Sequence, residues 1–90
     1  MKPTLEDILL ATLDWHYTDL RFWDNYQRSR SSTIVAIKGD FCVLASYFGF
    51  SNSDIGEFLH MRETTVINLM KDIKEEYADF LRTEVASKIG

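Results

Sequence analysis

The chain has 90 residues, of which 46% are hydrophobic and 27% are charged, and its formal net charge is -4. This length fits one small domain with a single hydrophobic core. No apolar run approaches the roughly 18 residues of a transmembrane helix. The first residues are also too acidic for a signal peptide. These features exclude a membrane-spanning chain and predict a cytoplasmic protein with no membrane partner.

The N-terminal third is predicted to be helical. Thr4 and Asp7 resemble the two partners of a capping box, and apolar residues then follow at helical spacing. The apolar positions are Leu5, Leu9, Leu13, Tyr17, Leu20, Trp23 and Tyr26. This pattern predicts one long helix over about residues 4–27, with a break near Thr18 as the alternative. The polar segment Ser29–Thr33 follows as a linker.

A second helix is predicted over residues 34–48. Its apolar face comprises Ile34, Ile37, Phe41, Leu44, Ala45 and Phe48. Gly39 lies inside this segment, where glycine costs roughly 1 kcal/mol relative to alanine. A helix that begins later, near Lys38–Asp40, is therefore an alternative. The segment Gly49–Asn52 is predicted to be a turn.

The next segment is typical of a helix-turn-helix. Ser53 is predicted to cap a short helix over residues 53–60, and Gly56 would allow a second helix to cross closely. After a turn at His60–Arg62, apolar residues recur at helical spacing, at Val66, Leu69, Met70 and Ile73. Two short helices joined by a tight turn can place the second helix in a DNA major groove.

The last helix is predicted to be long. Its apolar stripe continues to Ile89, so a helix from Arg62 to Lys88 would span about 40 Å. It would pack antiparallel against the first helix, and any surface left over would be covered by a second subunit. We therefore expect an all-α fold of four to five helices, with a homodimer formed through the long terminal helices. Its parts would be residues 1–33, a helix-turn-helix core at 34–75, and a C-terminal extension at 76–90.

From Gln27 to Ile73 the chain resembles the C-terminal DNA-binding domain of the bacterial chromosomal replication initiator, the DnaA family, in the Trp-repressor-like group. Arg28–Ser31 matches the basic loop of that family, and Ile55-Gly56 matches its short helix. Arg62–Val66 matches the start of its recognition helix, with glutamate in place of aspartate and without the family's histidine. The segment from Asp54 to Ile73 also resembles the DNA-binding domains of response regulators and sigma factors.

These features predict two sets of DNA-binding residues. Arginine can bond guanine, asparagine can bond adenine, and threonine can contact phosphate or a thymine methyl. The predicted base-reading residues are Arg62, Thr64, Thr65, Asn68 and Lys71. The predicted phosphate-binding residues are Arg28, Arg30 and Lys38. For the two loop arginines this role is what the resemblance implies.

The resulting hypothesis is sequence-specific binding of double-stranded DNA by a regulator of transcription or replication initiation. The alternative is a protein-interaction module that keeps the fold without binding DNA, as the net charge, Glu57, Glu63 and an apolar Ile67 beside the proposed groove suggest. An effector-gated repressor is a further alternative. No nucleophile or phosphate-loop motif is visible, and the spacing of His16, His60 and the single Cys42 does not suit a metal site. The sequence therefore predicts no enzyme, no metal and no cofactor.

Overall fold

Helices account for all the regular secondary structure of residues 2–89, the part of the chain that this computed structural model describes. The helices are α1 (Leu5–Trp15), α2 (Leu20–Tyr26), α3 (Ser32–Tyr47), α4 (Asn52–Leu59), α5 (Glu63–Lys71) and α6 (Glu75–Phe80). A π-helix (Leu81–Val85) and a 3-10 helix (Ala86–Lys88) follow α6. The predicted all-α fold is confirmed, with six α-helices in these residues where four to five were expected.

Helix α3 is the centre of the core. Its side chains Ile34, Ile37, Phe41 and Leu44 are fully buried, and α1, α4, α5 and the π-helix all pack against it. Phe41 stacks on Phe58 of α4, with 5.4 Å between the ring centroids. One continuous apolar core therefore joins the N-terminal, central and C-terminal parts of the chain.

Gly39 lies in the interior of α3, so the alternative in which the helix begins near Lys38–Asp40 is wrong. The helix begins at Ser32, where the Ser31 hydroxyl caps it by accepting a bond from the Ile34 N–H at 3.3 Å. A Cβ atom on Gly39 would lie 3.2 Å from Cδ1 of Ile73. The absence of a side chain at Gly39 lets the segment after α5 pass closely over α3.

The single long N-terminal helix over residues 4–27 is wrong, and the break near Thr18 is correct. Tyr17 adopts a left-handed conformation with φ of 58°, which ends α1. The N–H groups of Tyr17 and Thr18 donate to the carbonyls of Asp14 and Leu13 at 2.9 and 2.8 Å, the pattern of a Schellman motif. Asp19 then caps α2 by accepting from the Phe22 N–H at 2.9 Å.

The same motif ends α3 and α4. Gly49 (φ 94°) and His60 (φ 59°) are the left-handed residues. Phe50 donates to the Ala45 carbonyl at 3.1 Å, and Met61 donates to the Gly56 carbonyl at 2.8 Å. Only Gly49 is the residue type that favours this conformation, so the sequence signals one of these three helix ends clearly.

The predicted continuous helix from Arg62 to Lys88 is also wrong. Helix α5 ends at Lys71, and Lys74 is in an extended conformation, with ψ of 140°, before α6 begins. A straight helix of about 40 Å would exceed the longest dimension of the molecule, which is 29 Å. The break turns the chain back, so that Ala78, Leu81 and Val85 join the core.

The two terminal parts of the chain do pack on each other, although as shorter helices than expected. The Trp15 and Phe80 ring centroids are 5.4 Å apart, and Nε1 of Trp15 donates to the Tyr77 hydroxyl at 3.1 Å. Arg82 in the π-helix holds Asp79 and Glu75 of α6, at 2.9 and 3.1 Å. These contacts hold the C-terminal helices to the end of α1.

Cys42 is fully buried in α3, and its burial makes the stability of the protein depend on pH in the alkaline range. Burial raises the pKa of this thiol from 9.0 to about 12. The unfolded chain therefore releases the thiol proton at lower pH than the folded chain does. Between pH 9 and 12 the free energy of unfolding should fall by roughly 2–4 kcal/mol through this group.

Cys42→Ala should reduce this alkaline loss of stability. Burial also raises the pKa of Tyr77 to about 12, so some pH dependence will persist in the variant. Urea denaturation at pH 8 and pH 11 measures the free energy of unfolding of both proteins. The quantity to compare is the loss of this free energy between pH 8 and pH 11. An equal loss of unfolding free energy in the variant and the parent chain would show that Cys42 does not cause the loss of stability at alkaline pH.

Candidate nucleic-acid interface

Helices α4 and α5 cross at close range, and Gly56 is the residue that allows it. A Cβ atom at Gly56 would lie only 2.6 Å from the Met61 carbonyl oxygen and 3.5 Å from a methyl carbon of Val66. The predicted role of Gly56 is therefore confirmed. The predicted cap is wrong: α4 begins one residue earlier, and Ser51, not Ser53, caps it by accepting from the Asp54 N–H at 3.1 Å.

Helix α5 has one face toward the core and one toward solvent. Val66 is fully buried, and Leu69 and Met70 are half-buried against the core. On the other side Thr64, Asn68 and Lys71 are exposed. Since an α-helix turns by about 100° per residue, these three side chains project within about 60° of one another.

The remaining two predicted base-reading residues flank that face. Thr65 is exposed, about 100° around the helix from Thr64. Arg62 is exposed and occupies the N-cap position of α5 without a side-chain capping bond. All five predicted base-reading residues are thus exposed to solvent. Arg62 lies at the N-terminal end of α5, and the other four lie along its outer side. Ile67, which was expected to be exposed on this face, is half-buried.

Arg28 and Arg30 lie in the segment between α2 and α3, and both are exposed. The first residue of α3, Ser32, lines the same groove as Leu69 and Asp72 at the end of α5. The arginine-containing linker therefore joins α3 next to the C-terminal end of α5. Neither arginine takes part in an ion pair within residues 2–89.

Lys38 is placed differently from the other predicted phosphate-binding residues. It lies in the middle of α3 and is half-buried, and burial lowers the pKa of its ammonium group. A phosphate-binding lysine gains most when its charge is free to reach the backbone of DNA. Lys38 is therefore a weaker phosphate-binding candidate than the exposed Arg28 and Arg30.

Acidic side chains stand beside the proposed reading face. Glu63 is exposed in the first turn of α5, and Glu57 is exposed on α4. Among residues 2–89 neither forms an ion pair with Arg62 or Lys71. The formal charges of residues 52–71 are Asp54, Glu57 and Glu63 against Arg62 and Lys71, a sum of -1. The linker over residues 27–33 carries Arg28 and Arg30 and no acid.

The sequence did not reveal a polar network in the core. Asp40 of α3 is 2% exposed; its Oδ2 accepts from the Tyr77 hydroxyl at 2.7 Å and lies 2.6 Å from Nε2 of His16. Tyr77 in turn accepts from Trp15. The only signal was one acid in the mostly apolar segment Ile37–Ala45, at helical spacing from Ile37 and Leu44 and therefore beside the predicted apolar face.

Comparisons of the chain with protein-family models, with curated proteins and with solved structures find no match. Within residues 2–89 no helix has the length and apolar character needed to cross a membrane. In the same residues no cluster of three histidine, cysteine, aspartate or glutamate side chains is placed to hold a metal ion. The function is therefore inferred from the geometry of α4, α5 and the linker between α2 and α3.

Proposed function

We propose that this chain binds double-stranded DNA sequence-specifically, as a regulator of transcription or replication initiation, with α5 in the major groove. The observation that carries the proposal is the exposed face of α5, held by a close crossing over Gly56. A helix presented in this way can reach base edges with the residues of its N-terminal half. The side chains that could contact these base edges offer hydrogen-bond donors and methyl groups. They are Arg62, Thr64, Thr65, Asn68 and Lys71.

Arg28 and Arg30 would contact the DNA backbone on one side of α5, with Lys38 as a weaker third candidate. Because the chain is acidic overall, the phosphate contacts must be few, and the affinity for random DNA should be modest. Fluorescence anisotropy with a labelled random duplex, titrated from low to physiological salt, tests this directly. Micromolar or tighter binding that weakens steeply with salt supports the proposal, and no binding at low salt contradicts it.

Single substitutions should separate reading from phosphate binding. Once a preferred site has been selected from random duplexes, Asn68→Ala should reduce discrimination at one base pair by about 1–3 kcal/mol. Arg28→Ala should instead weaken binding to all sequences and reduce the salt slope by about 1. Both effects are measured by anisotropy on the selected duplex and on a scrambled one.

Matched controls come from α2, outside the proposed interface. Asn25→Ala and Arg21→Ala remove the same side chains from exposed positions, and neither should change affinity or salt slope. If Asn68→Ala and Arg28→Ala behaved like these controls, α5 and the linker would not be the docking surface.

A second candidate function is a protein-interaction module that keeps the fold without binding DNA. The exposed Glu57 and Glu63 and the net charge of -4 favour it. A replication or transcription factor with a basic surface would complement these acids. Charge reversal distinguishes the two functions, because Glu57→Lys with Glu63→Lys should strengthen DNA binding but abolish binding to a basic protein.

A homodimer is a further part of the proposal. The long terminal helices that suggested it are broken, and Leu81 and Val85 are buried within the chain. Tyr77 and Phe80 retain exposed fractions of 37% and 41% on α6, so this helix is where a second subunit would pack. Light scattering of the eluting protein measures the mass directly, and a monomer at all concentrations contradicts the dimer.

A further inference from the structure

A groove with largely apolar walls lies between α3, α5 and α6. Val35, Ala36 and Gly39 form one side, and Leu69 and Ile73 form the other. Its volume is about 420 Å³, within the range of roughly 300–1,000 Å³ that is typical of small-molecule sites. The groove exists because Gly39 has no side chain to fill it and because the chain breaks between α5 and α6.

Two carboxylates line the groove, those of Asp40 and Asp72, and Asp40 is the buried one. Both side-chain contacts of Asp40, with Tyr77 and His16, are made by Oδ2, and within residues 2–89 no group donates a hydrogen bond to Oδ1. No buried side-chain oxygen or nitrogen in this part of the chain lacks a partner. Oδ1 therefore keeps a small solvent-accessible area, although Asp40 as a whole is only 2% exposed, and the groove is the cavity that Asp40 lines.

We propose that this groove binds a small organic amine, with an apolar body between α3 and α5 and an ammonium group on Oδ1 of Asp40. The other charged residues that line the groove are Asp72 and Lys74, so the three formal charges sum to -1 and favour a cation. A carboxylate oxygen that receives no hydrogen bond from the protein gains most from a charged N–H group. The Tyr77 hydroxyl already donates to Asp40 and accepts from Trp15, which leaves the carboxylates of Asp40 and Asp72 as the charged acceptors of the groove.

This inference does not depend on DNA binding, because it rests on the groove and on Asp40 alone. The volume favours a free small molecule over a protein segment, since one aromatic ring with a short amine chain would occupy the groove. The probe is 2-phenylethylamine, compared with 2-phenylethanol and phenylacetate, which keep the ring and change the charge of the head group. Binding is followed by the amide signals of a nitrogen-15-labelled chain.

The amine should bind saturably, with a dissociation constant of about 1 mM or tighter. It should shift the signals of Gly39, Leu69 and Ile73, and the alcohol and the acid should each bind at least tenfold more weakly. Equal binding of the amine and the alcohol would overturn the role of Asp40. No saturable shift with the amine would overturn the proposal and leave the groove to a macromolecular partner.

Variants locate the site. Asp40→Asn should weaken amine binding at least tenfold, whereas Asp24→Asn, at an exposed carboxylate of α2, should not change it. Since Asp40 also holds the core network, Ala36→Phe provides a second variant that blocks the groove from an exposed position and leaves Asp40 untouched. Ala36→Ser is its control and should bind within twofold of the parent chain. Undiminished binding by Ala36→Phe would place the amine elsewhere and contradict the proposal.

Discussion

Gly56→Ala should destabilise the protein by about 2–3 kcal/mol, the usual range for an overpacked contact. The added Cβ would stand 2.6 Å from the backbone carbonyl oxygen of Met61, and a backbone atom in a tight turn has little freedom to move. Helix α5 would have to shift away from α4, and its contacts with the core would loosen. Urea denaturation measures the loss, and any DNA binding should weaken with it because the two helices no longer keep their relative position.

Gly39→Ala is the matched control for this prediction. Both substitutions gain roughly 1 kcal/mol of helix propensity, and both add one methyl group at a buried helical position. At Gly39, however, the nearest atom is Cδ1 of Ile73 at 3.2 Å, the end of a flexible side chain. The control should therefore cost less than about 1 kcal/mol. Equal losses at the two positions would show that the Met61 carbonyl is not the obstacle.

Asp40→Ala should cost about 2–3 kcal/mol of stability, the second large effect. The substitution removes the acceptor that α6 and the end of α1 share through Tyr77 and His16. Removing one partner from a buried polar cluster leaves the others unpaired, which costs more than the bonds themselves contribute. Tyr77 and His16 retain some contact with water, and this keeps the loss below the roughly 3–5 kcal/mol that breaking a fully buried ion pair costs.

A double-mutant cycle with Tyr77→Phe tests whether the network acts as a unit. Tyr77→Phe removes only the hydroxyl and should cost about 1 kcal/mol, while the double variant should lose less than the sum of the two single losses. Asp24→Ala, at an exposed acid of α2, should stay within about 0.5 kcal/mol of the parent chain. Additive losses from Asp40→Ala and Tyr77→Phe would show that the hydrogen bond between them contributes nothing to stability.

The sequence predicted those helices whose ends carry recognisable residue types. The turn containing Gly49 and the uncapped start of α5 at Arg62 follow from glycine chemistry and from helical periodicity. The break near Thr18 was predicted only as an alternative and the break after Lys71 was not predicted, because Tyr17 takes a conformation that favours glycine and no glycine or proline lies between residues 71 and 75. At both places the packing of distant segments outweighs the local preference for helix.

Helical periodicity also predicted part of the candidate interface. Periodicity places Val66 and Leu69 toward the core and thereby assigns Thr64, Asn68 and Lys71 to the outer face. The Asp40 network and the groove above it could not be predicted, because they join α1, α3 and α6 across large separations in sequence. Helical periodicity along one segment carries no information about which distant side chain meets a buried acid.

The π-helix at Leu81–Val85 has a consequence for how the chain tolerates changes in length. Ala86 donates to the carbonyl of Leu81, five residues earlier, so this turn holds one residue more than an α-helical turn. Removing Thr83, which is exposed, should convert the turn to α-helix without rotating Val85 and Ala86 out of the core. A deletion at this place should therefore leave the melting temperature nearly unchanged, whereas deleting Ala78 from α6 should abolish cooperative unfolding.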